Sequence, residues 1–211
     1  MKNEFNLCPM CGSKKIEWRD DKKWICPDCG FDLYCNIAAA VGIVLYDDDK
    51  NLLFEVRAKN PRKGFLCLPG GFVDAGESTE VAIVRECREE LGASLEESDV
   101  SYLCSFPNIY EYKNIEYKTC DIFFAAKLPE CYKDMNDFVK TLHREESEVV
   151  GFEVHRVATV DDVEALPLAF PSARKTLLKW ITAVPEQNAV PEKNAVPEPV
   201  EGPSSRSNHA H

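Results

Sequence analysis

The sequence has no excess of positive charge and no apolar stretch long enough to cross a bilayer. Its 211 residues include 25 lysines and arginines against 36 aspartates and glutamates, which gives a formal net charge of −11. This balance argues against a protein that binds duplex nucleic acid through a basic face. The longest apolar run, residues 37–46, is about half as long as a transmembrane helix, so no membrane contact is expected.

A secretory leader and ligand-spaced histidines are also missing. The chain reaches Cys8 without an apolar segment, so a cytoplasmic protein without disulfides is expected. His143, His155, His209 and His211 show no metal-ligand spacing. Ten cysteines are nevertheless present. Six of them are scattered and are predicted to be small buried residues: Cys35, Cys67, Cys87, Cys104, Cys120 and Cys131.

The other four cysteines form two matching C-P-x-C-G turns, which indicate a metal site. The candidate ligands are Cys8, Cys11, Cys26 and Cys29. Zn²⁺ prefers four tetrahedral thiolates, and two such turns supply them. Two short β-prone runs between the turns predict a hairpin that is too small to stabilise itself by a core. Residues 1–35 are therefore expected to form a ribbon with structural zinc; free thiols or a redox pair are the alternative.

Residues 36–183 form the second predicted unit, in which strands mix with two helices. Ser78 and Gly92 have the residue types that begin and end a helix over residues 78–91, and Pro171 opens the last helix. This mixture predicts an α+β fold or an α/β/α sandwich. The strand candidates are residues 37–46, 52–58, 101–106, 117–127 and 149–156, and the first two are expected to pair as a hairpin.

Residues 184–211 are set apart by composition. They begin within a repeated A-V-P-E pattern and contain no aromatic residue. A segment with so little to bury cannot offset the entropy lost on ordering. We therefore predict a disordered tail; a proline-rich recognition segment is the alternative.

A group of glutamates in the middle of the chain is the strongest chemical signal. Glu86, Glu89 and Glu90 stand at positions i, i+3 and i+4 of the first predicted helix, on one face. Three carboxylates so close together repel one another, which indicates a hard cation such as Mg²⁺ or Mn²⁺. An ordinary solvated acidic helix is the alternative. The residues expected to dock the helix on the sheet are Val81, Val84, Cys87 and Leu91.

The wider pattern resembles the Nudix signature G-x5-E-x7-R-E-U-x-E-E-x-G-U, in which U is usually a bulky aliphatic residue. The seven fixed positions, called the box residues below, are Gly71, Glu77, Arg85, Glu86, Glu89, Glu90 and Gly92. Cys87 and Ala93 depart from the aliphatic positions. Together with the cysteine turns, the chain resembles the zinc-ribbon branch of this family, with NADH pyrophosphatase-like and ADP-ribose pyrophosphatase-like members. The resemblance implies a Nudix-type α/β/α sandwich with a mixed sheet.

The resemblance also implies a metal-dependent hydrolase. Its substrate would be a nucleoside diphosphate linked to another moiety, such as ADP-ribose, a dinucleotide (NADH or FAD) or a nucleotide sugar. Glu86, Glu90 and the carbonyl of Gly71 would bind Mg²⁺ or Mn²⁺, and Glu89 would be a further ligand or the proton acceptor. Arg85 and Glu77 would orient these ligands, with Arg85 also a candidate for substrate binding. A homodimer is implied as well.

Two more sets of candidate residues follow from the family pattern. Many relatives take a further catalytic carboxylate from a loop before a late strand, where this chain has Glu146 and Glu148. Tyr110, Tyr112 and Tyr117 lie downstream of the box and are candidates for stacking on a nucleobase. Ordinary packing within a hairpin is the alternative for the tyrosines.

Two other functions are compatible with the sequence. A nucleotide-sensing regulatory module would keep the fold without hydrolysis, but no box carboxylate is lost here. An RNA-cap hydrolase would use Trp18, Trp24 and nearby lysines of the ribbon to bind a single strand; a small hairpin core is the simpler role for both tryptophans. The S-Q-P-W-P-F-P-x-S run of NADH pyrophosphatases is reduced here to Ser105 and Pro107, which argues against NADH specificity.

Overall fold

The computed structural model describes residues 5–113 and 115–187 and contains two sheets. The smaller sheet is an antiparallel ribbon of β1 (Glu17–Arg19), β2 (Lys23–Ile25) and β3 (Asp32–Tyr34). Trp18 and Trp24 are paired across β1 and β2, with ring centroids 5.1 Å apart, and form its small core. The hairpin was predicted; β3 was not, because three residues are too short to show a hydrophobic alternation.

The larger sheet has six strands and is mixed, which confirms the α+β architecture. Its strands are β4 (Ala38–Tyr46), β5 (Asn51–Arg57), β6 (Leu66–Cys67), β7 (Ser101–Tyr112), β8 (Ile115–Lys127) and β9 (Val149–Arg156). The order is β6-β5-β4-β8-β7, and β9 also pairs with β5. β4 and β8 run parallel, and the other pairs are antiparallel.

β4 and β5 separate almost at once instead of pairing along their length. Their partner positions are reduced to Tyr46 and Leu52, next to the turn, and β5 pairs over its whole length with β9. Residues 69–73 take the place beside β4 that β5 leaves. There the backbone N–H of Val41 donates to the carbonyl of Gly71 at 2.8 Å. The predicted hairpin is therefore correct only at its turn, since this loop competes for the edge of β4.

Helices cover both faces of the larger sheet. Along β4, Ile43 belongs to one core cluster and Val44 to the other, as the alternation of a strand requires. Ile83 of the first helix packs in the Ile43 cluster, and Leu177 of the last helix packs in the Val44 cluster. This is the predicted α/β/α sandwich. The helices are α1 (Thr79–Leu91), α2 (Met135–Val139), α3 (Val160–Ala165) and α4 (Pro171–Gln187).

α1 has the predicted ends but a slightly rotated buried face. The side chain of Ser78 accepts a hydrogen bond from the backbone N–H of Val81, and Gly92 adopts the left-handed conformation at the other end. Ile83 is fully buried, whereas Val81, which was predicted to dock the helix, is 39% exposed. Ile83 and Glu90 are seven residues apart and share one face. The helix turns because it buries Glu90 as well as its apolar residues.

Other predictions concern single residues and the end of the chain. Cys87 and Cys104 are buried as expected, but Cys35 and Cys131 are exposed because they lie outside the helices and core strands. All ten cysteines lie within the described residues, and none of them forms a disulfide. α4 continues to Gln187, past the boundary predicted at residue 183; the rest of the predicted tail, residues 188–211, lies outside the described residues. Within the described part of the chain, none of the helices has the length and hydropathy needed to cross a membrane.

The buried face of α1 can be tested with two substitutions on the same helix. Ile83→Ala should lower the free energy of unfolding by about 2–5 kcal/mol because it opens a cavity in a packed cluster. Val81→Ala should change it by less than about 1 kcal/mol because that side chain is partly exposed. Urea unfolding followed by circular dichroism measures both. Equal losses would contradict this orientation of the helix.

Candidate active site

A cavity of about 560 Å³ lies where β4 and β5 separate. Its walls come from these strands, from residues 69–73, from α1 and from the start of α4. All three box glutamates that were predicted to bind a cation line this one cavity. Six glutamates reach it: Glu55, Glu86, Glu89, Glu90, Glu145 and Glu148.

Two glycines bring the loop backbone against both β4 and α1. Gly70 has a φ of 141°, and a Cβ atom there would overlap the carbonyl of Val41. Its N–H donates to Oε2 of Glu90 at 2.8 Å. A Cβ atom on Gly71 would overlap the carboxylate of Glu86. Gly70 needs glycine because of its positive φ and because a side chain would overlap the backbone of β4, whereas a side chain at Gly71 would displace the carboxylate of Glu86.

Arg85 joins this loop to the helix through every N–H of its guanidinium. Nε and Nη2 donate to the two oxygens of Glu77, at 2.8 and 3.0 Å, and Nη2 also donates to the carbonyl of Phe72 at 3.0 Å. Nη1 donates to Glu86 at 2.8 Å and to Glu89 at 3.2 Å. The predicted pairing with Glu77 is present, and it lowers the pKa of that carboxyl. Because an arginine has five donors, none is left for a substrate, and the geometry favours the orienting role.

Burial leaves the negative charge of the cavity poorly compensated. Glu90 is 7% exposed and Glu55 is 2% exposed. Desolvation raises the pKa of Glu55 to about 8 and raises the pKa of Glu90 and of Glu86 above their usual range. Neighbouring carboxylates add to the shift in each case. Carboxylate oxygens with unneutralised charge around one cavity fit a hard divalent cation.

The three box glutamates share the cavity without converging on a point. Three glutamates whose ligand atoms all lie within 4.8 Å of one another are not found in residues 5–113 and 115–187. In these residues, only cysteines form such a group. Glu86 and Glu89 are held by Arg85, and Glu90 is held by Gly70. We expected the three carboxylates to lie close together on one face of α1, and the structure instead holds them apart. Like charges repel, and each carboxylate takes a different donor.

The loop before β9 brings one of the two candidate glutamates to the cavity. Glu148 lines the cavity and pairs with Nζ of Lys59 at 2.6 Å. The other candidate, Glu146, has a side chain that is 84% exposed and does not line the cavity. Glu145 lies there instead. The N–H of Glu148 donates to the carbonyl of Glu145 at 2.9 Å, and this turn places residues three apart on the same side.

Aromatic side chains form another part of the cavity wall. Tyr110 lines the cavity, and its ring centroid is 5.7 Å from that of Phe72 and 5.8 Å from that of Phe170. Tyr117 does not line it but lies behind Phe72, with ring centroids 6.4 Å apart. The side chain of Tyr112 lies outside what the structure describes. The sequence analysis missed both phenylalanines, although Phe72 directly follows the glycine pair.

A polar network joins the strands of this wall to α4. The carboxylate of Asp121, on β8, is buried and accepts three side-chain hydrogen bonds. The donors are Asn108 at 2.8 Å, Thr119 at 2.6 Å and Ser172 at 2.7 Å. These bonds fix the end of α4 against β7 and β8. The network was not predicted because its members are up to 64 residues apart in sequence, from Asn108 to Ser172.

Glu55 is the acidic residue of the cavity that the sequence analysis missed. It lies on β5 in the run Leu52-Leu53-Phe54-Glu55-Val56. Its carboxyl group contacts that of Glu90 and lies 3.7 Å from the Sγ of Cys67. The sequence did contain a signal for it, namely a single acidic residue inside an apolar strand. Such a residue is rarely buried without a partner, so its position could have predicted a functional role.

The four predicted zinc ligands come together in the ribbon. The sulfurs of Cys8, Cys11, Cys26 and Cys29 all lie within 4.8 Å of one another. Cys8 to Cys29 and Cys11 to Cys26 are each separated by 3.7 Å between sulfurs. Four sulfurs bound tetrahedrally at the usual zinc distance stand about 3.8 Å apart. The spacing and the thiol donors therefore fit Zn²⁺.

Comparison with known proteins identifies the family. The family model described as NUDIX domain matches residues 36–181, which is more than half of the chain. The chain therefore belongs to the NUDIX family, whose hydrolases generally need a divalent metal ion.

Among solved structures, a MutT/nudix family protein from Enterococcus faecalis has a TM-score of 0.57 at 18% identity, over 75% of this chain and 66% of that one. The NUDIX domain of Shewanella oneidensis NrtR, complexed with ADP ribose, has a TM-score of 0.51 at 21% identity, over 78% and 94%. Both show a shared fold.

Curated relatives match over shorter segments. The chain is 47% identical over 89 residues to an ADP-ribose pyrophosphatase of Methanocaldococcus jannaschii, covering 42% of this chain and 48% of that protein. It is 33% identical over 101 residues to the NAD-capped RNA hydrolase NudC of Pseudomonas aeruginosa, covering 47% of this chain and 34% of that protein. The chain thus matches about half of the first relative's length and about a third of the second's.

The burial of Glu55 predicts a pH dependence of stability in buffer without Mg²⁺ or Mn²⁺. Its folded-state pKa, about 8, lies above the unfolded value of about 4.3. Between these values the unfolded chain has released the proton and the folded chain has kept it, so stability falls as pH rises and levels off above about pH 8. Glu55→Gln removes this titration.

We expect the stability of Glu55→Gln relative to the wild-type protein to increase from about pH 5 to pH 8, by at most about 1.4 kcal/mol per pH unit. Urea unfolding of both proteins across this range measures the difference. Glu97→Gln, which changes an exposed glutamate, serves as the control and should give a nearly constant difference. A flat profile for Glu55→Gln would contradict the burial of this carboxyl.

Proposed function

We propose that the protein is a metal-dependent hydrolase that cleaves the diphosphate linkage of ADP-ribose or of a similar nucleoside diphosphate derivative. The observation that carries the proposal is the arrangement of the box glutamates around one cavity, with Gly70, Gly71 and Arg85 holding them. The cavity volume of about 560 Å³ is in the range of small-molecule sites. The similarity to an ADP-ribose pyrophosphatase supports this substrate class.

The cation assigned to the cavity is Mg²⁺ or Mn²⁺. Its proposed ligands are Glu86, Glu90 and the carbonyl of Gly71, with Glu148 and Glu145 available from the loop before β9. The Gly71 carbonyl accepts one bond from Val41 and keeps a second lone pair. When bound, such an ion neutralises phosphate oxygens and lowers the pKa of water.

The chain's own residues would bind and orient the substrate. Glu89 is assigned as proton acceptor for the attacking water because its side chain is half exposed and reaches the cavity. Arg85 fixes the direction of this carboxylate. Arg57 and Lys59 line the cavity and offset the charge of the diphosphate. Tyr110 and its neighbouring aromatic rings would stack on the nucleobase.

The two alternative functions are not favoured. A sensor without catalysis has no support in the box, since each of its carboxylates is present. Use of the ribbon for RNA would need an open aromatic face, but Trp24 is buried and packs on Trp18 and Phe5. NAD-capped RNA stays within the substrate panel because of the NudC relatives. A homodimer and a cytoplasmic location, both expected from the sequence, are proposed with this function.

Hydrolysis is tested with a panel of ADP-ribose, NADH, FAD, nucleotide sugars and NAD-capped RNA in Mg²⁺ or Mn²⁺. ADP-ribose should give AMP and ribose 5-phosphate, and mass spectrometry in ¹⁸O-labelled water shows which phosphorus takes the solvent oxygen. Glu89→Gln and Glu90→Gln should each lower kcat by about 10²–10⁴-fold because proton transfer or charge neutralisation is lost. Glu97→Gln is the matched control and should retain activity. The proposal fails if the wild-type protein hydrolyses no member of the panel.

Zinc in the ribbon is tested by elemental analysis. We expect one zinc per chain in the wild-type protein, and its loss in Cys26→Ser because one of four thiolates is removed. Cys35→Ser is a suitable control, since Cys35 is an exposed cysteine outside the four. Limited proteolysis should then cut residues 5–35 of Cys26→Ser faster than those of the control. Full zinc retention in Cys26→Ser would refute the assignment.

A further inference from the structure

We infer that Glu55 is an additional ligand of the divalent cation and forms, with Glu90, the buried inner end of the metal site. The inference rests on the proposed function, because it concerns the same cavity. Glu55 lies outside the box pattern, on β5 rather than on α1. The site would thus be built from two opposite walls instead of one helix and its loop.

The first observation is an oxygen without a partner. Glu55 is 2% exposed, and its Oε1 has no hydrogen-bond donor among the described residues. The thiol of Cys67 lies 3.7 Å from its Oε2 and is a weak donor, and the remaining side-chain contact of Glu55 is the carboxyl group of Glu90. Leaving a charged group buried and uncompensated costs at least several kcal/mol. The arrangement is therefore incomplete without a cation or a proton.

The second observation is the position of Glu90 on the facing wall. Its Oε2 accepts the N–H of Gly70 at 2.8 Å, which fixes the carboxylate and leaves the other oxygen for a ligand. The carboxyl groups of Glu55 and Glu90 are in contact. One belongs to a strand and the other to a helix, and each is held by the core around it. Two carboxylates held in contact from opposite walls supply oxygen ligands that suit one hard cation.

The cationic side chain on the same strand does not satisfy Glu55. Arg57 lies two residues further along β5, but its Nε donates to the carbonyl of Pro61 at 3.0 Å. Its guanidinium lies over the ring of Phe170, with Cζ 5.0 Å from the ring centroid. Arg57 offsets part of the charge of Glu55 from a distance, whereas the carboxylates of Glu86 and Glu148 add negative charge around Glu90. Among the described residues, neither Glu55 nor Glu90 forms an ion pair with a cationic side chain.

The Glu55→Gln variant distinguishes two roles of Glu55, as a ligand of the cation and as a partner that shares a proton with Glu90. Glutamine keeps the size of the side chain and supplies a donor to Glu90, so it can replace a protonated carboxyl. It cannot replace a carboxylate that binds a cation. A role limited to sharing a proton predicts unchanged cation affinity in this variant, whereas a ligand role predicts a loss. Glu55→Asp keeps the charge on a shorter stem and should fall between the wild-type protein and the glutamine variant.

The experiment measures Mn²⁺ binding to the zinc-loaded full chain without substrate, by titration calorimetry and by the electron paramagnetic resonance signal of free Mn²⁺. Glu55→Gln should weaken the tightest Mn²⁺ site by about 10–100-fold. The exposed control Glu97→Gln should bind as the wild-type protein does. Circular dichroism verifies that each variant is folded.

Two results are decisive in different ways. Mn²⁺ affinity of Glu55→Gln within about twofold of the wild-type value, against the expected loss, would overturn the inference even if the enzyme hydrolyses ADP-ribose. A weakened Mn²⁺ site in a protein that hydrolyses no member of the substrate panel would support the inference and reject the proposed function. The binding assay and the substrate panel therefore fail independently.

Discussion

The site depends on the close approach of the backbone at Gly70 and Gly71 to both β4 and α1. This loop occupies the edge of β4, so β5 must leave its neighbour and pair with β9. The separation of β4 and β5 creates the cavity, and the same glycines set the positions of Glu86 and Glu90. A side chain at Gly70 would push the loop from β4, and one at Gly71 would displace the carboxylate of Glu86 on α1. Backbone packing and metal-site geometry are thus one constraint.

The features predicted from the sequence are those determined by residues near one another in the chain. Ser78 and Gly92 mark the ends of α1 because capping is a local hydrogen-bond requirement. The salt bridge of Arg85 with Glu77 joins residues eight apart. The cluster of four cysteines follows from two short turns. Helix periodicity predicted only that the three glutamates lie on one face. The family resemblance predicted in addition that they line a common site.

The features that were missed depend on long-range packing. The pairing of β5 with β9 joins residues about a hundred positions apart, such as Asn51 and Arg156, and no local pattern specifies it. The exchange of Glu146 for Glu145 depends on one turn before β9. The rotation of α1 follows from burying Glu90, which the apolar pattern did not include. Glu55 stands out in the sequence as the single acid of an apolar strand, but its proximity to Glu90 on α1 is known only from the structure.

The saturation of Arg85 has a consequence for the chemistry of metal entry. A guanidinium keeps its proton at any physiological pH, so Arg85 acts as a permanent internal counter-ion for Glu86 and Glu89. An incoming ion must compete with it for the same oxygens. A singly charged ion gains little from that exchange, whereas a small dication interacts about twice as strongly with each oxygen at equal distance. At the proposed cation site, selectivity for charge would therefore come from an arginine that need never touch the metal.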